Sequence, residues 1–317
     1  MAAPDAPDRR IWIDGSLVPW PDATVHLLSH SLQRGSLVFD YMSVHATERG
    51  AAVFRLGDHV RRFLTSCELV GLPLGRGADD VARAIVATVR ANPGSSAVKV
   101  CAYLPSIEVD VVPLDARVSL AVASYDPGLD VVARKTGAKP TYSPTLRIWL
   151  EKQRRNRRPD ILSPHAKVAA NYTGPMVAKW AAKKRGYDEI LLLDEEGYLA
   201  EGPTTNFFLV DRDGTLRTPP EETVLLGVTR RSVLEIAERD GRKVIEERVR
   251  PEALFEAAEA FLTGTSAGVW AIATVDDRPV GAAAPGPVTA VLAQRFRDVA
   301  AGRDPRFLHW LTFVDAG

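Results

Sequence analysis

Short apolar runs closed by Asp-Gly or Glu-Gly turns recur in both halves of this 317-residue chain, interleaved with helical stretches but without strict strand–helix alternation. That ordering argues against a doubly wound parallel sheet, in which every crossover between strands needs its own helix. It points instead to an α+β fold. Ile11 to Val18 reads as a hairpin around Asp14-Gly15. A helix is expected from Asp58 to about Gly71, with Asp58 as its cap and Val60, Phe63, Leu64 and Cys67 at helical spacing. A second runs from about Ala78 to Arg90 and stops at Asn92-Pro93-Gly94. Strand-like runs follow at 97–104 and 117–124. Tyr125-Asp126-Pro127-Gly128 is then turn chemistry, and two further prolines lie between Gly137 and Pro144. These features place a linker at 125–138, between a small N-terminal domain, 1–124, and a larger one, 139–317. The length likewise calls for two cores rather than one. Downstream, helices are expected at 171–184 and 229–239. Glu189–Asp194 and Tyr198–Glu201 flank one turn, and Asn206–Val210 and Thr215–Thr218 flank another.

Composition excludes several function classes. Hydrophobic residues make up 46%, enough for a packed globule, and 40 basic residues balance 40 acidic ones. A balanced chain has no global field to hold nucleic acid or an anionic membrane. Two cysteines, Cys67 and Cys101, give neither a disulfide framework nor a paired-Cys zinc pattern, and are expected as core fillers in a reducing compartment. No metal site is expected. The stretch Met1 to Arg10 reads as a loose tail without the apolar run of a signal peptide, and no run is long enough to span a bilayer. The expectation is a soluble cytoplasmic protein.

Five features carry chemistry. Lys167 sits among small apolar residues in Pro164-His165-Ala166-Lys167-Val168-Ala169-Ala170-Asn171-Tyr172. Burial disfavours an ammonium, so an amine placed there can attack an aldehyde. Tyr172 lies five residues on, as a phenol for a ligand's oxygen or equally as a core aromatic at a helix start. Glu201, before Gly202-Pro203-Thr204-Thr205-Asn206, is a carboxylate able to keep a pyridine nitrogen protonated, or an ordinary turn acid. Gly227-Val228-Thr229 precedes a helix, where amides and dipole favour a phosphate, and is equally a simple cap. Thr263-Gly264-Thr265-Ser266-Ala267 exposes further amides or is an ordinary polar turn, and Arg62 offers a charged donor or is a surface arginine.

In this order and spacing, the chain resembles the fold-type IV pyridoxal-phosphate enzymes: branched-chain and D-amino-acid aminotransferases, (R)-selective amine transaminases and aminodeoxychorismate lyase. The likeness runs from about Ile11 to Phe296 and is carried by Ala166-Lys167…Asn171-Tyr172, Glu201-Gly202…Asn206-Phe207-Phe208 and Gly227-Val228-Thr229-Arg230, supported by His59-Val60-Arg61-Arg62 and Gly286-Pro287-Val288-Thr289. The resemblance implies two domains, the larger with a mixed β-barrel-like sheet, and a homodimer. It implies pyridoxal 5'-phosphate as cofactor, with an amino donor and a 2-oxo acid acceptor exchanging in ping-pong fashion. Lys167 would be the Schiff-base lysine and proton shuttle, Tyr172 the ring-oxygen contact and Glu201 the partner of the pyridine nitrogen. Arg62, Gly227, Val228, Thr229 and Thr265 would hold the phosphate. The Ser266 and Ala267 amides would take a substrate carboxylate.

The strand at 97–103 departs from the family. Branched-chain enzymes carry a Tyr-x-Arg pair there, and Val98 and Val100 are read at those positions. Arg34, Lys99 and the run Arg154-Arg155-Asn156-Arg157-Arg158 are the candidate replacements, that run otherwise being a solvated loop. Phe39, Tyr41 and Tyr103 are expected in the substrate pocket. Branched-chain-like and D-amino-acid- or (R)-amine-like donors both remain open. A lyase of the aminodeoxychorismate type and a non-catalytic dimeric binding protein are the further alternatives.

Overall fold

A computed structural model describes residues 7–315, and Met1 to Ala6 of the expected N-terminal tail lie outside them. The described residues form two compact groups. One comprises 7–142 with 166–170 and 300–315, and the other comprises 143–165 and 171–299. Two stretches expected with the C-terminal half, the Lys167 segment and the C-terminal tail, thus pack with the N-terminal group. The expected linker carries a π-helix over Pro127–Ala133, and the Asp126 carboxylate accepts the Leu129 N–H at its start.

The first group is built on a seven-stranded sheet with all neighbours antiparallel, in the order Leu311–Phe313, Gly50–Phe54, Val38–Thr47, Ala97–Tyr103, Ser119–Tyr125, Arg10–Ile13 and Ser16–Pro19. The expected hairpin turns at Asp14 and Gly15, both with positive φ, as a two-residue turn between right-twisting strands requires. Along Val38–Thr47 buried and half-buried residues alternate, as a strand with one covered face dictates. Helices Leu56–Leu69 and Ala78–Ala91 pack on this sheet, contributing buried Val60, Phe63 and Cys67 and buried Val81, Ile85 and Val89. The first of these helices starts two residues before the expected cap Asp58, which lies in its first turn. Asp58 is instead ion-paired to Arg55 at 2.8 Å, and Arg55 holds a left-handed backbone with its guanidinium 3.9 Å from the Trp310 ring centre.

The second group has a mixed sheet in the order Val244–Glu246, Leu216–Thr218, Asn206–Val210, Glu259–Gly264, Gly268–Val275, Leu146–Arg155 and Glu189–Leu193, with Arg278–Pro279 paired to Gly268–Val275. Three of its pairings are parallel and the rest antiparallel. This is the mixed α+β arrangement that the resemblance implies. Its core gathers Ile148, Leu191, Phe207, Leu262 and Ile272. Helices Thr173–Lys184, Val228–Arg239 and Pro287–Ala300 complete it, and the last is held at its start by Glu259, whose carboxylate accepts the Val288 and Thr289 amides at 2.9 and 2.7 Å. Among the described residues no helix is long and apolar enough to cross a membrane.

Candidate active site

Lys167 is fixed by backbone pairing. Its carbonyl accepts the Phe39 N–H at 3.0 Å, Ala169 N–H reaches Leu37 O at 2.8 Å, and Val168 bridges Val38 antiparallel. The small residues around Lys167 permit this close approach: Gly35, at φ 67°, lies against Ala170, and an added Cβ would meet it at 3.4 Å. The Lys167 N–H donates to Ser66 Oγ at 3.0 Å, and Ser66 in turn donates to the Arg62 carbonyl at 2.8 Å. The lysine side chain is only 8% exposed, with Nζ 4.9 Å from the Phe39 ring centre.

Arg62 shares this group. It lies on the helix Leu56–Leu69 three residues after His59 and four before Ser66, so all three point to one helix face. Its Nε and Nη2 donate to the two Asp40 carboxylate oxygens, each at 2.8 Å, and His59 Nδ1 meets Asp40 Oδ1 at 2.7 Å. Asp40 is wholly buried; burial by itself raises its pKa, but the Arg62 charge and the hydrogen bonds from Arg62 and His59 outweigh that and hold it well below the usual carboxylate range. Burial pushes His59 down and outweighs the opposing pull of Asp40, while the charges of Arg62 and Lys167 add to the push, so His59 is neutral and donates to Asp40. Sequence reasoning did not single out Asp40 or Ser66, and it named His59 only inside a supporting motif. The one available signal for Asp40 was an acid at mid-strand between Phe39 and Tyr41.

A group kept neutral on folding stabilises the fold above its unfolded pKa, about 6.5 for His, and that contribution is lost as pH falls. Asp40, depressed on folding, adds a second loss below about pH 4. Between pH 7 and 5 His59 should therefore destabilise the protein by up to about 1.4 kcal/mol per pH unit. Thermal melts of wild type and His59→Asn across that range check this: the wild-type melting temperature should fall more steeply, and parallel profiles would contradict the neutral assignment.

The strand register sorts the residues considered on the strand Ala97–Tyr103 by face. Val98 and Val100, read at the family's Tyr-x-Arg positions, are fully buried on the helix-covered face. Because side chains alternate, the residues sharing the Phe39 and Tyr41 face are Lys99, opposite Tyr41, and Cys101, opposite Phe39. Lys99 Nζ lies 4.5 Å from the same Phe39 ring centre as Lys167 Nζ, so the two nitrogens are no farther apart than the sum of the two distances, about 9 Å. Among the described residues no carboxylate pairs with Lys99. Burial pushes the Cys101 thiol up to about 11 and the Cys67 thiol to about 12, so neither is a nucleophile at neutral pH. Both cysteines are free. Tyr103 is buried at the strand's end, and Arg34 is exposed with Nη2 donating to Val109 O at 2.8 Å.

In the second group, Glu201 is 3% exposed. Its carboxylate accepts from Asn156 Nδ2 at 3.3 Å, Asn206 Nδ2 at 3.2 Å and the Leu225 N–H at 3.2 Å, and pairs with Arg157 Nη1 at 3.3 Å. Asn206 also donates to Leu225 O at 2.8 Å. Gly227 is needed here, because a Cβ at 227 would overlap the Asn206 side-chain oxygen. Sequence reasoning gave this glycine to a ligand's approach; in the structure it also makes room for Asn206. Of the basic run, Arg154, Arg155 and Arg158 are exposed, while Asn156 and Arg157 turn inward to Glu201, and the Arg157 guanidinium lies 5.2 Å from the Tyr172 ring centre. The run therefore splits between a solvated strand end with Arg158 and a buried clamp.

The helix Val228–Arg239 begins without a side-chain cap although Val228, Thr229 and Arg230 are buried. Such a start leaves amide donors free of side-chain caps, a setting that favours an anion. Thr205 and Thr263, near Gly264, bury hydroxyl oxygens that find no partner. Thr265 is half-buried and Ser266 exposed, and the Ala267 N–H closes the turn onto Gly264 O at 3.2 Å, so the turn as it stands spends one of the two amides expected for a substrate. Among the described residues no cluster of His, Cys, Asp or Glu could hold a metal ion.

Three comparisons bear on this arrangement. The family described as amino-transferase class IV matches residues 37–275. A branched-chain-amino-acid aminotransferase of Pseudomonas aeruginosa is 33% identical over 97% of this chain and 98% of its own length, and one of Escherichia coli is 30% identical over 96% and 97%. The solved branched-chain aminotransferase of the archaeon Thermoproteus uzoniensis, with norvaline, superimposes with a TM-score of 0.86 at 31% identity, covering 96% of this chain and 99% of that one. The branched-chain amino acid aminotransferase of Thermobaculum terrenum in its PLP form gives 0.86 at 30% identity, over 98% and 99%.

Proposed function

Because the chain belongs to the class IV aminotransferases, we propose that it exchanges an amino group between a branched-chain amino acid and a 2-oxo acid. Class IV aminotransferases are pyridoxal-phosphate-dependent transaminases, and so is this chain. The observation that supports the branched-chain donor is identity of 30–33% to enzymes of that name over nearly the full length of both chains. The same full-length likeness does not favour the lyase alternative.

The residues present fit the cofactor. It needs a buried amine, a buried carboxylate and an anion cradle, and Lys167, Glu201 and the uncapped start of Val228–Arg239 are of those kinds. When bound, pyridoxal phosphate supplies an aldehyde that captures the amino group and a ring that takes up the electron pair left on the substrate's α carbon. In the proposed roles Lys167 Nζ removes the α proton and later returns it. Glu201, which pairs with Arg157 and accepts from the Asn156 and Asn206 amides, keeps a proton on the ring nitrogen. Arg62, Thr265, and the Val228 and Thr229 amides, with the Thr229 hydroxyl, bind the phosphate. Tyr172 contacts the ring oxygen. Phe39 and Tyr41 wall the substrate, and Lys99 offers its carboxylate a cation.

Half-reactions read the donor directly. L-Leucine should bleach the holoenzyme's visible band much faster than D-alanine or (R)-phenylethylamine, and the reverse order would overturn the branched-chain reading. Lys99→Met should slow L-leucine and leave the amine, which has no carboxylate, unaffected; equal slowing removes Lys99 from substrate binding.

The proposed enzyme is a cytoplasmic homodimer. Its two free thiols suit a reducing compartment, and cell fractionation should find it with cytosolic markers. Val109, Val111, Val112 and Leu114 expose apolar side chains on one loop, and that loop is tied to the helix His30–Arg34 by Arg34 and by His30 Nε2 on Val111 O at 2.8 Å. Leu27 and Leu32 extend this apolar surface, as a subunit interface would. Light scattering should give twice 34.5 kDa, and a monomer at micromolar concentration would refute the assembly.

A further inference from the structure

We propose that Asp40 is the positioning residue for Arg62, holding the guanidinium in the orientation that receives the cofactor phosphate. This rests on the reading of Arg62 as a phosphate ligand. A carboxylate at mid-strand on the covered face of a sheet is costly unless every lone pair is satisfied. Here four donors meet the carboxylate: Arg62 Nη2 at 2.8 Å, His59 Nδ1 at 2.7 Å and the Tyr41 N–H at 2.7 Å on Oδ1, and Arg62 Nε at 2.8 Å on Oδ2. Both oxygens of Asp40 are thereby engaged within the protein. What it does is fix a fork. Two parallel bonds to Nε and Nη2 set the guanidinium plane, which a flexible side chain of four carbon–carbon and carbon–nitrogen torsions does not hold unaided.

Two further contacts show the same helix face serving the site. Ser66 joins the Arg62 carbonyl to the Lys167 N–H, so the backbones of the proposed phosphate ligand and of the reactive lysine share one hydroxyl. The neutral His59 fills the third direction around Asp40 without adding charge, so the cluster of Asp40 and Arg62 is balanced before any anion arrives.

Orientation and charge make opposite forecasts. Removing the Asp40 charge leaves Arg62 uncompensated, which by electrostatics alone would tighten binding of an anion. Loss of the fork's anchor would weaken it. Pyridoxal, which has no phosphate, separates the two effects from general damage to the fold. Full-length apoprotein of wild type, Asp40→Asn, Asp40→Glu and Arg62→Ala is titrated with pyridoxal phosphate and with pyridoxal, and the ratio of the two dissociation constants is read for each.

Asp40→Asn should lower the advantage of the phosphorylated form about 10-fold or more while pyridoxal binds as before, and Asp40→Glu should fall between it and wild type. An unchanged or increased advantage in Asp40→Asn, with Arg62→Ala reduced, overturns the role of Asp40 alone. An unchanged advantage in Arg62→Ala overturns the phosphate reading of Arg62 itself. Should Asp40→Asn fail to fold, Asp40→Glu carries the test, because its longer arm displaces the fork; a wild-type ratio there overturns the proposal.

Discussion

Replacing Lys167 by alanine should abolish transamination, by about 10²- to 10⁴-fold for the lost proton transfer and by more once the covalent role is counted. In the proposed role the Lys167 amine bonds the cofactor, so the variant should bind the cofactor and stay without the band that wild type shows. The fold should survive. The backbone of the segment is held by main-chain bonds with Phe39 and Leu37 and by the Ser66 hydroxyl, none of which the amine makes. A coloured, active Lys167→Ala protein would show that another amine does the work, and Lys99, facing the same phenyl ring, is the one to examine.

Glu201→Gln should lower turnover by about 100-fold or more, the scale on which one preorganised partner of developing charge matters. The amide is nearly isosteric but cannot hold a proton on a ring nitrogen by charge, and it turns an N–H₂ toward the donors Asn156, Asn206 and Arg157. Part of the loss should be copied by Gly227→Ala, which never touches the carboxylate: its methyl group displaces Asn206, and Asn206 anchors Glu201 and Leu225. Steady-state kinetics on folded, cofactor-saturated protein decide this. Unchanged turnover in Glu201→Gln removes the electrostatic role, and a fall in Gly227→Ala confined to the binding of cofactor would place the glycine at the phosphate instead.

Much of the local structure was legible because it follows from short-range rules. The Asp14-Gly15 hairpin, the helices at 78–91 and 228–239 and the strands at 97–103 and 206–210 come from turn chemistry and side-chain period, which act within a few residues. The start of the helix at Leu56 was missed by two residues because its cap is tertiary: Arg55 is held left-handed by Trp310 and Asp58, and Trp310 is far away in the chain.

The sequence alone determined the class of chemistry through its resemblance to a family, carried by Ala166-Lys167…Asn171-Tyr172, Glu201-Gly202 and Gly227-Val228-Thr229-Arg230. Only the tertiary structure decided what surrounds them. That Asp40 meets Arg62, that Asn156 and Arg157 leave a solvated run to grip Glu201, and that Lys99 rather than Val98 shares a face with Phe39 all depend on which strand pairs with which, and in what register. Sheet pairing joins residues tens of positions apart, and a shift of one residue exchanges the two faces, so no pattern within a single segment could have fixed it.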